Sequence, residues 1–475
     1  MKRFWLFALM LAGSLAVLTA PAMAKGDEGD DSSESLEDVN SGLGALSARV
    51  GDIEKKLGFS FYGDVRTRFF YQTQSQSEPL DAAAKNAGVT VIADKSVGRY
   101  RARFGIKKDS GEFQGGLRIS TGQISSNNAP ATIASNPNSE NQTFDNGFGD
   151  PAIVIDQAFL TFVPNFLDKK VKLNLGKMGN PLLTTPMTWD PDICPEGAEL
   201  ELNSWDTIFR MAYFDLNNLA GTAPTLINPN IGNDEYMLNF QLEHLFKLED
   251  KTSVNLMVGY EWVNNANALA GGANTNPFYS GPVGAGAALN TKNTPFGAGN
   301  IADFGGVLPD FNVGEAMLQV KHNVADIPFQ WTLHVIDNFG SFNVPNTERS
   351  GATGPSGTKA VAGYTTWTNQ YGFYLECKGG NTQKGNFMGV AAMSYVEPNA
   401  QLANLPSDDA NFTNTEYLFQ QIGYGLEDNV TFLLSAWELE HIYDYYGNTN
   451  NKFTTSGGTS KSPELQLYAD CVLSL

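Results

Sequence analysis

The chain has 475 residues and a formal net charge of −20, from 31 Lys+Arg against 51 Asp+Glu. An acid excess of this size excludes a general nucleic-acid binder, which presents a basic surface to phosphate. Three cysteines, Cys194, Cys377 and Cys471, are too few and too scattered for a disulfide framework in so long a chain and read as free thiols.

The first element is an export signal. Lys2 and Arg3 precede an apolar run that closes on Ala22-Met23-Ala24, the pattern of a secretory signal peptide over 1–24. Beyond it, 29 basic residues face 51 acidic ones, a net of −22. No later apolar run reaches the roughly 18 residues of a membrane-spanning helix, so an exported chain without a helical anchor is expected.

Residues 25–35, "KGDEGDDSSES", form a charged flexible leader. Over 36–58 the period becomes helical. Leu36, Val39, Leu43, Leu46, Val50, Ile53 and Leu57 alternate spacings of three and four, an a/d seam of an α-helical coiled coil. A short helix cannot bury such a seam by itself. Either it associates with copies of itself or it packs on its own domain, and Gly42, Gly44 and Gly51 each weaken the helix by about 1 kcal/mol relative to Ala.

From Phe59 to the end of the chain the period is two. "FSFYGDVRTRFFY" puts Phe59, Phe61, Val65, Phe69 and Tyr71 on one face and Asp64, Arg66 and Arg68 on the other. Strands are predicted near 59–71, 97–108, 112–122, 152–164, 169–178, 197–203, 205–216, 234–246, 252–263, 313–322, 328–338, 364–378, 385–397, 414–426, 428–441 and 462–475. The split between 197–203 and 205–216 rests only on up-and-down parity. Short polar connections such as "KKDSGE" and "KLEDK" alternate with long Gly/Asn/Pro/Ser-rich ones, the longest over 264–312. Strands of about ten residues, even in number, with short turns at one end and long loops at the other, predict an all-β fold: a transmembrane antiparallel β-barrel of about sixteen strands over 59–475. A soluble β-sandwich also alternates, but has no reason for such regular loop lengths.

In such a barrel the apolar face meets lipid and the polar face a water-filled lumen, and an arginine turned to lipid at mid-membrane costs about 2–4 kcal/mol. The stretch "VGRYRARFGIK" therefore points Arg99, Arg101 and Arg103 inward, with Lys107 following a gap at Gly105. Arg66, Arg68 and Arg118 join them as pore-lining bases, and Arg66, Arg101, Arg103 and Arg118 are expected to form one patch at mid-height. The opposing charge is expected from the loop "NPLLTTPMTWDPDICPEG", 180–197, through Asp190, Asp192 and Glu196, with Glu199 and Glu201 on the next strand. If that loop folds inward, acid faces base across a constriction and sets a transverse field. If it does not, Asp190-Pro191-Asp192 is an ordinary solvated turn.

"GRYRARFGI", "GGLRISTG", "NPNSENQTFDNGF", "VIDQAFLTF", "LGKMGNP" and "WDPDICPEG", in that order over about 97–197, resemble the successive signatures of the Putative porin family of Gram-negative outer membranes. The resemblance implies a homotrimeric, sixteen-stranded passive channel for ions and small hydrophilic solutes, with long loops extracellular and the heptad segment as a periplasmic stalk able to meet peptidoglycan or periplasmic proteins. The chain ends in Leu475 where outer-membrane barrels usually end in Phe, a departure that concerns assembly rather than fold.

Rival readings are a substrate-specific channel of the anion or phosphate type, and an envelope tether acting through the coiled coil. An enzyme is not expected. His244, His322, His334 and His441 lie on separate strands, no Walker, CxxC or HExxH motif occurs, and no metal or other cofactor is called for. His334 faces the lumen in this register without an evident Ser or Asp partner. The sign of ion selectivity stays open, because wall and loop charges oppose one another.

Overall fold

The computed structural model describes residues 58–74, 95–122, 141–144, 152–217, 235–248, 251–264, 311–340, 342–347, 360–367, 370–397, 400–402, 405, 415–441 and 464–475. The expected signal peptide, leader and heptad seam, Leu36 to Leu57, and most of the 264–312 connection lie outside the described residues.

Among the described residues there are nineteen strands: β1 (Phe59–Gln74), β2 (Lys95–Asp109), β3 (Phe113–Gly122), β4 (Gln142–Thr143), β5 (Ala152–Phe162), β6 (Val171–Lys177), β7 (Glu196–Ser204), β8 (Thr207–Asn217), β9 (Glu235–Lys247), β10 (Ser253–Asn264), β11 (Phe311–Val324), β12 (Ile327–Asn338), β13 (Phe342–Thr347), β14 (Ala360–Trp367), β15 (Gln370–Gly380), β16 (Phe387–Val396), β17 (Thr415–Glu427), β18 (Val430–His441) and β19 (Glu464–Ser474). β13 and β14 pair only with each other, and the two-residue β4 caps the end of β2 beside Arg99 and Tyr100. The remaining sixteen pair antiparallel in sequence order, and β19 returns to β1 over the register Asp64↔Ser474 to Gln74↔Glu464. The sheet is therefore a closed, all-β barrel of sixteen strands.

Each strand alternates between an exposed apolar face and a covered one. On β1, Phe69 is 69 % exposed while Arg68 and Phe70 turn inward, and on β5 Ile153 and Ile155 are exposed while Asp156 and Gln157 are covered in part by period and in part by a register shift. Exposed large apolar side chains all round the wall suit a hydrocarbon solvent and would be unfavourable in water. No helix among the described residues is long and apolar enough to cross a membrane.

The short hairpin turns that join consecutive barrel strands, such as β2–β3, β7–β8 and β11–β12, lie at the rim where β1 starts and β19 ends, and Leu475 donates its N–H there to the Gly63 carbonyl at 3.0 Å. The split at 205 is real: Ser204 pairs with Thr207 around Trp205 and Asp206, both at positive φ of 46° and 63°, as a two-residue hairpin turn of right-handed twist requires. The same turn joins β11 to β12 through Ala325 and Asp326. The strand predicted over 364–378 is instead divided, its barrel part beginning at Gln370.

The inner face corrects one expectation. Its half nearer the long loops is not lined by polar groups alone: Phe70, Phe214, Met237, Phe311, Ile336, Tyr374 and Trp437 turn inward and form one apolar cluster with Leu182, Met187, Trp189 and Ile193 of the β6–β7 connection and Ala400, Leu402 and Leu405 of the β16–β17 connection, beside buried Asn239, Glu261 and Asn338. Burying aliphatic and aromatic groups at about 25 cal/mol per Å² holds these connections inside the barrel, where the sequence pattern alone suggested water.

Candidate functional site: an internal constriction

The site is built where β1, β2 and β3 meet the β6–β7 connection. The β1–β2 register sets Arg66 opposite Arg101 and Arg68 opposite Arg99, like charges face to face, which is unfavourable unless acid intervenes. Asp64, opposite Arg103, is that acid. Its Oδ2 accepts from Arg101 Nη2 at 2.7 Å and from Arg101 Nε at 3.2 Å, and its Oδ1 accepts from Arg103 Nε. Arg68 makes a two-point contact with Asp470 of β19, Nε to Oδ1 at 2.7 Å and Nη2 to Oδ2 at 2.9 Å. Arg118 pairs with Asp156 of β5, Arg66 donates to Asn141 at 2.7 Å, and Arg99 lies 4.9 Å over the Phe70 ring and meets no carboxylate among the described residues.

The gap in the ladder has a steric cause. A Cβ on Gly105 would stand 2.4 Å from the Tyr62 ring, which lies flat over this position and sends its hydroxyl to Gln157 at 3.0 Å. Lys107 Nζ stacks on the other end of the same ring, 4.4 Å from its centroid.

The β6–β7 connection folds into the barrel. Asp192 Oδ1 accepts from Arg101 Nη1 at 2.7 Å and from Arg103 Nη1 at 3.3 Å. Asp190 Oδ1 accepts the Asp192 N–H at 2.7 Å, so Asp190-Pro191-Asp192 is a turn whose second carboxylate is aimed at the wall. Trp189 donates Nε1–H to the Ile193 carbonyl at 3.2 Å and tilts against Phe214, and Met187 is fully buried. Next to them Cys194 is enclosed by Arg118 and Gln157, and burial, with Asp156 beside it, pushes its thiol up to about 12.

The structure thus brings Asp192 to Arg101 and Arg103, but it places three of the expected opposing acids elsewhere. Glu196 bonds Lys177 at 3.1 Å, Glu199 accepts from Asn174 at 2.6 Å, and Glu201 bonds Lys172 at 3.0 Å and Arg210 at 3.1 Å. The reason is register: Lys177, Asn174 and Lys172 are the direct cross-strand partners of Glu196, Glu199 and Glu201 on β6, nearer than any arginine of β1–β3. Asp64, Asp156 and Asp470 are the carboxylates that sequence reasoning missed as partners. Their inward parity was readable, but which arginine each would meet depends on barrel closure and register.

The opposite wall also holds a group with partners the sequence did not reveal. His334 is fully buried, with Nδ1 2.9 Å from Thr185 Oγ1 and Nε2 3.1 Å from Glu315 Oε2. A hydroxyl, imidazole and carboxylate in series can serve nucleophilic chemistry, but Thr185 is itself buried and its hydroxyl is closed to solute.

Residues 57–280, a little under half of the chain, match the model of a family described as "Putative porin". Over those residues the chain is similar to this family. No curated protein matches the sequence. Among solved structures, the chain is similar to Pseudomonas putida OprB at 11 % identity and a TM-score of 0.46, over 89 % of this chain and 96 % of that one. It is similar also to an anion-selective porin from Comamonas acidovorans, at 9 % identity and 0.44 over 88 % and 99 %, and to Salmonella typhi OmpF in complex with daunomycin, at 9 % and 0.44 over 88 % and 97 %.

Proposed function

We propose that this porin is an outer-membrane diffusion channel for ions and small hydrophilic solutes, whose constriction is made by the β6–β7 connection and the arginines of β1–β3. The observation that carries the reading is Asp192: a carboxylate on a segment lying inside a closed barrel, bonded to Arg101 and Arg103 on the wall. Such an arrangement narrows the passage and fixes the sign of charge at its edge. Among the described residues, Arg68, Arg101, Arg103 and Arg118 are held in ion pairs by Asp470, Asp64, Asp192 and Asp156, so that charges of both signs line the passage at this level.

The test is single-channel current in a planar bilayer with a KCl gradient. Arg101→Ala with Arg103→Ala removes two positive charges and strands Asp64 and Asp192, so the reversal potential is expected to move toward cations. An unchanged potential in a folded double variant would remove the patch from the mechanism. A small, one-signed conductance blocked by phosphate would instead make the pore a specific anion channel.

The homotrimer, the periplasmic placement of residues 36–58 and the extracellular placement of the long loops belong to the same proposal, supported by the a/d seam from Leu36 to Leu57 and by the family. Leu46→Asp with Ile53→Asp is expected to lower the heat resistance of the trimer on a gel while leaving single-barrel conductance intact. A mutant trimer as resistant as the parent would count against the stalk. Loss of envelope integrity on deleting 25–57, with transport unchanged, would favour a tether.

A further inference from the structure

We infer that Gln241, Glu315 and His334 form a clasp that positions the inward β6–β7 connection against the wall opposite the arginines, and so determines the size of solute that passes; this rests on the channel reading above. β11, which carries Glu315, is eight steps round the sixteen-stranded wall from β2, which carries Arg101 and Arg103. The connection is therefore tied at both sides of the barrel, through Asp192 to β2 and through Leu183 and Thr185 to β9 and β12.

The clasp is specific in its chemistry. The Gln241 amide takes both polar groups of one residue, accepting the Leu183 N–H at 2.9 Å and donating to the Leu183 carbonyl at 3.0 Å. The same Nε2 donates to Glu315 Oε1 at 2.8 Å, and the other oxygen of Glu315 faces His334 Nε2. A carboxylate at Nε2 places the ring proton there, leaving Nδ1 to accept from the Thr185 hydroxyl. The bonds run in series from Leu183 through Gln241, Glu315 and His334 to Thr185, so loss of one link deprives a neighbouring buried group of a partner.

Gly259 of β10 makes the link possible. It stands between Gln241 and Glu315 in the sheet, paired with both, and the Glu315 side chain lies flat across it to reach Gln241. A Cβ at Gly259 would come within 2.3 Å of Glu315 Oε1 and 2.7 Å of its Cγ, so alanine must push the carboxylate off the clasp. A plain structural cluster would lower barrel stability on mutation without altering permeation, which separates the two roles.

The experiment uses the full-length folded protein in planar bilayers and in liposomes that swell on uptake of neutral sugars of graded size. Gly259→Ala, Gln241→Leu and Thr185→Val are expected to change conductance by about twofold and to admit larger sugars than the parent. His334→Asn, whose amide oxygen can still accept from Thr185, is expected to stay nearer the parent than His334→Leu. Thr185→Val removes one hydroxyl and keeps the shape, so it reports even if Gly259→Ala does not fold. A folded Thr185→Val or Gly259→Ala protein with parental conductance and size limit, whether or not its heat resistance falls, would overturn the clasp. A parent that conducts nothing would overturn the channel reading instead.

Discussion

Asp64→Asn is expected to give a barrel that is less stable and more permeable to anions than the parent. Asp64 is the shared acceptor of Arg101 and Arg103, and it stands in a strand pair that sets Arg66 against Arg101. Removing one partner from a buried ion pair leaves the other charge uncompensated, a loss of roughly 3 kcal/mol here, at the low end for such pairs because Asp192 still serves both arginines. Asparagine keeps the shape and one accepting oxygen, so the change is chiefly one of charge. The midpoint of urea unfolding in detergent measures the first effect, and the reversal potential in a KCl gradient the second. A lowered midpoint with an unmoved potential would make Asp64 a brace for the wall and no part of the field that ions meet.

That two-part expectation was only half legible beforehand. The alternation in "FSFYGDVRTRFFY" placed Asp64, Arg66 and Arg68 on one face, and the need to keep arginine out of lipid turned that face inward. The pairing of Asp64 with arginines on β2 follows from the β1–β2 register, which no local pattern on either strand encodes. The turn at Trp205-Asp206 was hidden for another reason: a two-residue turn with both residues at positive φ usually advertises itself by Asn-Gly or Gly, and here neither residue is one. Parity required the turn before any composition did. Gly105, by contrast, was plain in the sequence as a gap, but it is a gap made for the Tyr62 side chain of the neighbouring strand, and only the assembled sheet names that occupant; the like role of Gly259 beneath Glu315 had no signal in the pattern. The inward apolar cluster escaped the pattern because Phe214, Met237 and Ile336 alternate as a polar lumen face would, and what covers them comes from two distant connections.

The seam of the barrel should show the largest change in stability without a change in selectivity. Arg68 and Asp470 join the first strand to the last, both nearly excluded from solvent, with Tyr468 stacked 4.4 Å beneath the guanidinium. Arg68→Met alone takes from the Asp470 carboxylate its two-point partner inside the wall, and Asp470→Leu alone takes that carboxylate from a buried guanidinium, so each is expected to cost about 3–5 kcal/mol. The double variant removes both charges and fills the space with apolar atoms that the neighbouring cluster of Phe70 and Tyr468 can accept, so it should recover most of that loss. Its net charge is that of the parent, and because the pair is turned upon itself the reversal potential should not move. Urea midpoints of the four proteins close the cycle. If the double variant is no better than the worse single one, the two residues act independently, Arg68 through its ring contact and Asp470 through the strand, and closure does not depend on the ion pair. If the double variant is stable but its reversal potential shifts, Arg68 belongs with Arg101 and Arg103 in the field of the constriction rather than to the seam.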